Sequence, residues 1–443
     1  MILLRSFFLI ALKNVKRHWR HSLAAVISIS AGFIALVVFQ GYMENVRTMY
    51  LETFRSRFMY GDVMIENEKA TAAEGKSDPW AYSLTLDDQK AIKNFLQTHQ
   101  SQVESKARFL QVSGLLRGAS SSMIYRGVGY DLQGGADIRG KGWAWNTIYG
   151  VPLQKAADGD NIVIGQTLSE LVGCEPEKPI KVLNGIEGYK PEERSFSCTA
   201  PSLQLSSVTA GGQLNAMDFN VVGIIDGAYR DVDSKIVMMS LDRAQQLMGT
   251  PLISFETVKI REPSEISSLI EQFNQTMKEQ KHPVHMLRWE DHPVGDMYVR
   301  TMNLLSTFRN FVVIIIVAIA GLSIFNTMVK VVKERTREIG TLQSLGFQSW
   351  AIQMIFFFEA LLLAVAGCLI GAVLSIIMSL VINVISIPYK AGVLSAPVPF
   401  EVSIVPALYG ISILFLGGLS ILTTWLAARS SMNQRITDNL THS

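Results

Sequence analysis

The chain has 443 residues, of which 49% are hydrophobic and only 18% charged, with a formal net charge of +2. Soluble domains carry about a quarter charged residues, so the composition points to a membrane protein with a soluble part. The near-neutral balance argues against a nucleic-acid face, and three cysteines are too few for a disulfide scaffold and lack metal-site spacing.

Residues 1–21, with "LLRSFFLIALKNVKRHWRHS", set an apolar patch (Phe7, Phe8, Ile10, Ala11 and Leu12) ahead of a basic end. That pattern predicts an amphipathic helix at the cytoplasmic interface; the alternative is a plain basic flank that only sets topology. Residues 22–43 are free of charge and form the first predicted span. The run is too long for a signal peptide and no small-x-small cleavage site follows it, so it reads as an uncleaved anchor. Further spans are predicted at 309–330, 350–385 and 402–428, each long enough for a bilayer core that needs roughly 20 helical residues. Backbone groups in lipid must be satisfied internally, which makes these segments helices.

Basic residues in short loops set the orientation. Arg5, Lys13, Lys16, Arg17 and Arg20 lie before the first span, four Lys or Arg fall in 330–338, and Arg429 and Arg435 lie in the tail, 429–443; the loop 386–401 offers just Lys390. Both termini and the segment 331–349 are therefore expected in the cytoplasm, and residues 44–308 form one large domain outside it.

Within that domain "MYGDVMIEN" (59–67), "ARFLQVSGLLR", "SSMIYRGVGYD", "FETVKIR" and "VHMLRW" read as strands. "LTLDDQKAIKNFLQTH" (84–99) reads as a helix with Thr85 as its cap and Ile92, Phe95 and Leu96 on one face, and "PSEISSLIEQFNQTMKEQ" as a second helix. Strand–helix–strand on either side of a middle region predicts an α+β layer from about 44–131 and 241–308, with an inserted, mostly β subdomain over 132–240. Cys174 and Cys198 both fall in the insert. A bridge between them would close a 25-residue loop and stabilise by roughly 3 kcal/mol in the chain-entropy model; two separate buried thiols are the alternative. Cys368 reads as packing within the third span.

Some apparent motifs lack their chemistry. "GADIRGKG" (135–142) resembles a phosphate-cradling loop, but Gly142 stands where a metal-binding hydroxyl belongs, so loop glycines are the better reading. "VVGIID" is followed by Gly227 rather than a catalytic carboxylate. "HPVHMLRWEDH" gathers His282, His285 and His292, yet Pro283 breaks the helix a His-x-x-His site would need, and a solvated, turn-flanked strand is expected. No catalytic constellation stands out. Glu359 is the one carboxylate inside a span, a functional candidate by cost alone, with structural pairing inside the bundle as the plainer reading.

The densest charge lies in "KERTREIGTLQSLGF" (333–347). Lys330 and Glu334 are four apart and Glu334 and Arg337 three apart, so opposite charges meet on a helix surface. Ile339, Leu342 and Leu345 form an apolar stripe, and Gly346 lets the chain leave the helix. A loop that only sets topology needs neither Glu334 nor Glu338, so the segment reads as a docking element for a cytoplasmic partner.

This segment resembles the cytoplasmic cassette of FtsX-like (MacB-type, type VII) ABC permeases, and among them most closely the lipoprotein-releasing LolC/LolE group. "ALKNVKRHWRHS", "NIVIGQTLSELVG", "FNVVGIID" with "KIVMMSLDRAQQLMG", and "LRWED" with Trp289 resemble the family in order and spacing. The resemblance implies four spans, a porter-like domain with a sabre-like insert, and a pair of permease chains, alike or different, on a cytoplasmic ABC ATPase dimer. ATP and Mg would be bound by that partner, leaving this chain without a cofactor or a catalytic role. It places ATPase docking on Lys333, Glu334, Arg335, Arg337, Glu338, Ile339, Gly340, Leu342, Leu345 and Gly346. With 21 residues before the first span, no fused ATPase is expected. Where the lipoprotein-releasing group has Glu-Gly in span three, this sequence has Glu359–Ala360, so the resemblance leaves the role of Glu359 open. The implied function is mechanotransmission in a bacterial inner membrane, with the large domain in the periplasm. Lipoprotein or lipid extraction is the first expected task, membrane lipid and a periplasmic carrier, adaptor or lipoprotein being further partners. The alternatives are a cargo-free subunit that activates a cell-wall hydrolase, and export of a drug, peptide or other small molecule.

Overall fold

The computed structural model describes residues 2–72, 81–118, 121–157, 159–178, 190–334, 336–390 and 394–432. The helices are α1 (Ile2–Arg17), α2 (Trp19–Glu52), α3 (Leu86–Thr98), α4 (Leu132–Trp143), α5 (Gln166–Leu171), α6 (Arg230–Asp233), α7 (Leu241–Met248), α8 (Ile266–Glu279), α9 (Asp296–Glu334), α10 (Thr336–Ser344), α11 (Ser349–Ile385) and α12 (Pro406–Met432). The strands are β1 (Val63–Asn67), β2 (Val103–Arg117), β3 (Ser122–Tyr130), β4 (Tyr149–Gly150), β5 (Asn161–Gly165), β6 (Cys174–Pro176), β7 (Phe196–Cys198), β8 (Leu203–Val208), β9 (Leu214–Ile225), β10 (Ile236–Ser240), β11 (Phe255–Ile260), β12 (Val284–Arg288), β13 (Ile387–Tyr389) and β14 (Val398–Phe400). Two compact units result, a helical one and an α/β one; the latter comprises Arg47–Met302 together with Pro388–Pro399.

In the helical unit, α2, α9, α11 and α12 are long and apolar enough to cross a membrane. Small residues let them approach. Gly32 faces Ala320, and Gly367 packs on Ile29 while its carbonyl accepts a 2.8 Å bond from the Ser30 hydroxyl. Cys368 lies in the same apolar cluster as Phe33, Ile324 and Phe356, a packing role. Helix α12 begins at Pro406, not at Val402 where the apolar run starts. Asn383 explains the delay: its side-chain amide donates to the Val402 carbonyl at 3.1 Å and its oxygen accepts the Val402 N–H at 2.8 Å, holding that residue outside the helix. Pro406 then supplies a first turn that needs no N–H.

The α/β unit is built on one ten-stranded sheet in the order β12-β1-β11-β2-β3-β10-β5-β9-β4, with β8 joined to β2 and β9. The strands of the middle region join this same sheet, apart from β6 and β7, which pair with each other. The fifteen-residue β2 pairs with β11 over its first half and with β8 over Gly114–Arg117, so one hairpin serves both halves. Strand β1 is buried along its whole length, sending Val63 and Ile65 to one face and Met64 to the other. The first face is covered by α3, α7 and α8. Helix α3 starts in a capping box, Thr85 accepting the Asp88 N–H at 3.2 Å while Asp88 accepts the Thr85 N–H at 3.1 Å. It buries Ile92, Phe95 and Leu96, and Phe95 meets Phe273 of α8 edge-on at 5.0 Å. The glycines of "GADIRGKG" lie on α4, not in a loop; Gly135 packs against the Tyr130 ring and Met59, and only Gly140, at φ 65°, breaks the helix.

Two local features carry expected outcomes. Cys174 and Cys198 face each other across the β6–β7 pair and are joined by a disulfide. Replacing both by Ala should cost roughly 3 kcal/mol in urea unfolding, and wild type in reductant should match the variant. The histidine region is also not a solvated strand. Glu66 on β1 is buried, with His292 Nε2 at 2.9 Å and His285 Nε2 at 3.3 Å from its two oxygens. Burial pushes the Glu66 carboxyl up, but the hydrogen bonds and charge of the two histidines outweigh it and hold it below the ordinary 4.5. A depressed carboxylate contributes stability that is present above 4.5 and lost as the pH falls through its lower folded value. Glu66→Gln should therefore lower the melting temperature at neutral pH and flatten its decline in acid, as thermal scans across that range would read.

Candidate functional site: the segment between the second and third spans

After α9 ends at Glu334 the chain makes the nine-residue helix α10 and enters α11 at Ser349. The C-terminus of α10 is closed by a Schellman arrangement. Gly346 takes φ 88°, its N–H donates to the Gln343 carbonyl at 3.0 Å, and the Phe347 N–H reaches back to the Leu342 carbonyl at 3.0 Å. Gly346 is required because an L side chain is strained at this positive φ.

Of the residues predicted to dock a partner, Arg335 lies outside the described residues, as do the side chains of Glu334, Arg337, Glu338 and Ile339. Gly340 is buried, and the Lys333 side chain is exposed. Leu342 and Leu345 do not form one stripe. Leu342 packs on the cluster of the helical unit, whereas Leu345, past the end of α10, is 72% exposed. With Phe347 and Trp350, also exposed, Leu345 makes an apolar tip on an otherwise polar turn.

Glu359 lies inside α11, 5% exposed, and accepts a 2.7 Å hydrogen bond from the Asn14 side chain of α1. Phe7 meets Trp350 edge-on at 5.8 Å and Phe8 meets Phe358 at 6.0 Å, so α1 packs along the start of α11. Its Phe8, Leu9 and Ile10 remain exposed. A carboxylate buried in an apolar helix is costly unless a donor faces it, and Asn14 supplies one.

The sequence reading missed a second constellation, in the α/β unit. A π-turn at Thr53–Arg57 continues α2 and turns Arg57 inward. Its guanidinium pairs with Asp226 at 3.0 Å, the two side chains being 5% and 0% exposed, donates to the Asp226 carbonyl, and stacks over Trp143 at 5.0 Å. Ser395, from the segment between the third and fourth spans, donates its hydroxyl to the other Asp226 oxygen, and its N–H donates to the Ala228 carbonyl at 3.1 Å. Burial pushes Asp226 up, but the Arg57 charge and the hydrogen bonds of Ser395, Arg57 and Ala228 N–H prevail and keep it ionised below the usual carboxylate range. The only signals for this knot were a basic residue closing a long helix and an aspartate ending an apolar strand.

Residues 310–436, which contain α10, match the FtsX-like permease C-terminal family. That match takes in under a third of the chain. The chain is similar to the ABC transporter permease YtrF of Bacillus subtilis, 30% identical over 131 residues that make up 28% of this chain and 30% of that one. It is also similar to the macrolide export ATP-binding/permease protein MacB of Shigella boydii, 26% identical over 42% of this chain and 27% of that protein. The chain thus spans under a third of the length of either curated relative. Among solved structures, the periplasmic region of MacB from Actinobacillus actinomycetemcomitans matches 55% of this chain and 92% of its own length at 13% identity, with a TM-score of 0.32. With its four apolar helices, this ABC-permease relative is a membrane protein.

Proposed function

We propose that the chain is the permease subunit of an ABC transporter, converting ATP hydrolysis by a partner ATPase into movement of its α/β domain. The observation that carries the reading is α10 itself: a short, capped helix inside the FtsX-like permease domain, with Leu345, Phe347 and Trp350 left exposed for a partner. The permease and ATP-binding/permease names of the relatives support the same assignment. In this reading both termini and α10 face the cytoplasm, the α/β domain faces the periplasm, and two permease chains sit on two ATPase copies. Lipoprotein or lipid extracted from the inner membrane is the cargo we favour, from the likeness around Trp289 to lipoprotein-releasing permeases.

Purification of the full chain from its native membrane in mild detergent, with mass spectrometry of proteins and lipids together, tests this. An ABC ATPase with lipoprotein or lipid is the expected result. An ATPase with a cell-wall hydrolase and no cargo would replace transport by signalling, and an intact complex without an ATPase would overturn the docking role of α10.

A further inference from the structure

The α/β unit contains a cavity of about 490 Å³ that no part of the transport assignment uses. Its floor is the sheet face carrying Phe109 and Phe255, stacked at 5.0 Å, and Val128 of β3. Its wall is Phe54 and Phe58, edge-on at 5.8 Å, where the π-turn ends α2, and Met297 of α9 closes another side. Small-molecule sites span about 300–1,000 Å³ and combine apolar walls with a few convergent polar groups, which fits. Met238 and Met297 add flexible, polarizable surface that adapts to a chain. An alkyl chain asks for no hydrogen bond along its length and would lie on the rings and aliphatic groups, with the polar Gln111, Ser113 and Ser254 lining the rest of the cavity.

The rim has the opposite character. Arg126, Asp231 and Lys235 border the opening. Lys235 pairs with Asp231 at 2.6 Å, whereas the exposed Arg126 guanidinium makes no ion pair of its own among the described residues. The charged groups of the rim therefore sum to +1, Asp231 sitting in the field of Arg126 as well as of Lys235. The two tyrosines in the wall do not offset it. Burial pushes the Tyr60 phenol up to about 12 and raises Tyr229 as well, so both stay neutral.

We propose that this cavity binds one alkyl chain of an anionic amphiphile, the chain lying among Phe54, Phe58, Phe109 and Phe255 and the anionic head meeting Arg126. The planar guanidinium fork suits a carboxylate or a phosphate alike. The proposal rests on the transport reading and names the chemistry of what the domain handles.

The test uses the full chain in nanodiscs of neutral phosphatidylcholine with photoactivatable palmitate as the probe, adducts being mapped by mass spectrometry. Saturable labelling at cavity residues is expected, displaced by unlabelled palmitate but not by hexadecanol at the same concentration. Val128→Trp, which fills the floor, should abolish it. Arg126→Gln, at an exposed position that should not affect folding, should weaken it about tenfold, the loss of one charge-assisted contact. Displacement by lysophosphatidylglycerol would identify membrane lipid as the source, and displacement by an anionic acylated peptide a lipoprotein; either supports the site. Labelling that never saturates, that hexadecanol displaces equally, or that survives in both variants would overturn it. ATPase co-purification separates the two ideas: labelling lost with the ATPase retained sinks the cavity alone, and the reverse sinks the transport reading alone.

Discussion

Asp226→Ala is expected to destabilise the α/β unit by about 3–5 kcal/mol, because it leaves the Arg57 guanidinium buried without its counter-charge. Few single substitutions in the molecule should cost more. The loss should appear as a lowered midpoint in urea unfolding of the full chain, followed by the fluorescence of buried Trp289, which stacks on Phe54 at 5.5 Å. Replacing both partners, Arg57→Met with Asp226→Leu, should recover much of the stability, since a packed apolar pair avoids the desolvation cost of two ions. The acid behaviour has a definite sign. The folded carboxyl of Asp226 sits below its ordinary 3.8, so its contribution is complete at neutral pH and disappears only as the pH falls through that lower value. An unchanged midpoint in Asp226→Ala would mean that the pair adds nothing beyond the packing around it.

The second large effect tests the proposed docking role. On that proposal, exchanging the charges at positions 337 and 338 (Arg337→Glu with Glu338→Arg), or placing Pro at Thr341, should leave the chain inserted but abolish stimulation of a co-purifying ATPase. Proline inside α10 removes a hydrogen bond and clashes with the preceding turn, about 3 kcal/mol or more, which a nine-residue helix cannot absorb. ATP hydrolysis by the co-purified complex in nanodiscs is the readout, with membrane extraction as the control for insertion. Normal stimulation in both variants would remove the docking role from this segment.

What the sequence made legible was local. The four candidate spans follow from apolar runs of sufficient length, and Thr85 was legible as the cap of its helix. The helix end at Gly346 was legible for the same reason, since a Schellman turn is written in adjacent residues. Non-local pairing was not. Nothing within β2 indicates that it serves two neighbours along its length, so it is not legible in the sequence that the strands of the insert, β6 and β7 apart, extend the same sheet. Arg57 and Asp226 are 169 residues apart, and Asp226 and Ser395 another 169; no periodicity links them. Gly135 was misjudged because its reason is close packing on Tyr130 and Met59, a fact about neighbours rather than about turns.

The placement of Pro388–Pro399 bears on how the molecule comes into being. This segment belongs to the α/β unit, where Leu394 and Val398 join its second core and Ser395 completes the Asp226 knot, yet it is synthesised after the third span. A ribosome that has delivered Met302 has supplied nearly the whole domain without its last dozen residues. Until α11 has been made, Asp226 and Tyr229 wait without their final partners. Completion of the domain's second core is thereby tied to completion of the third apolar helix: a chain halted before Pro388 holds nearly the whole sheet but leaves Asp226 without Ser395.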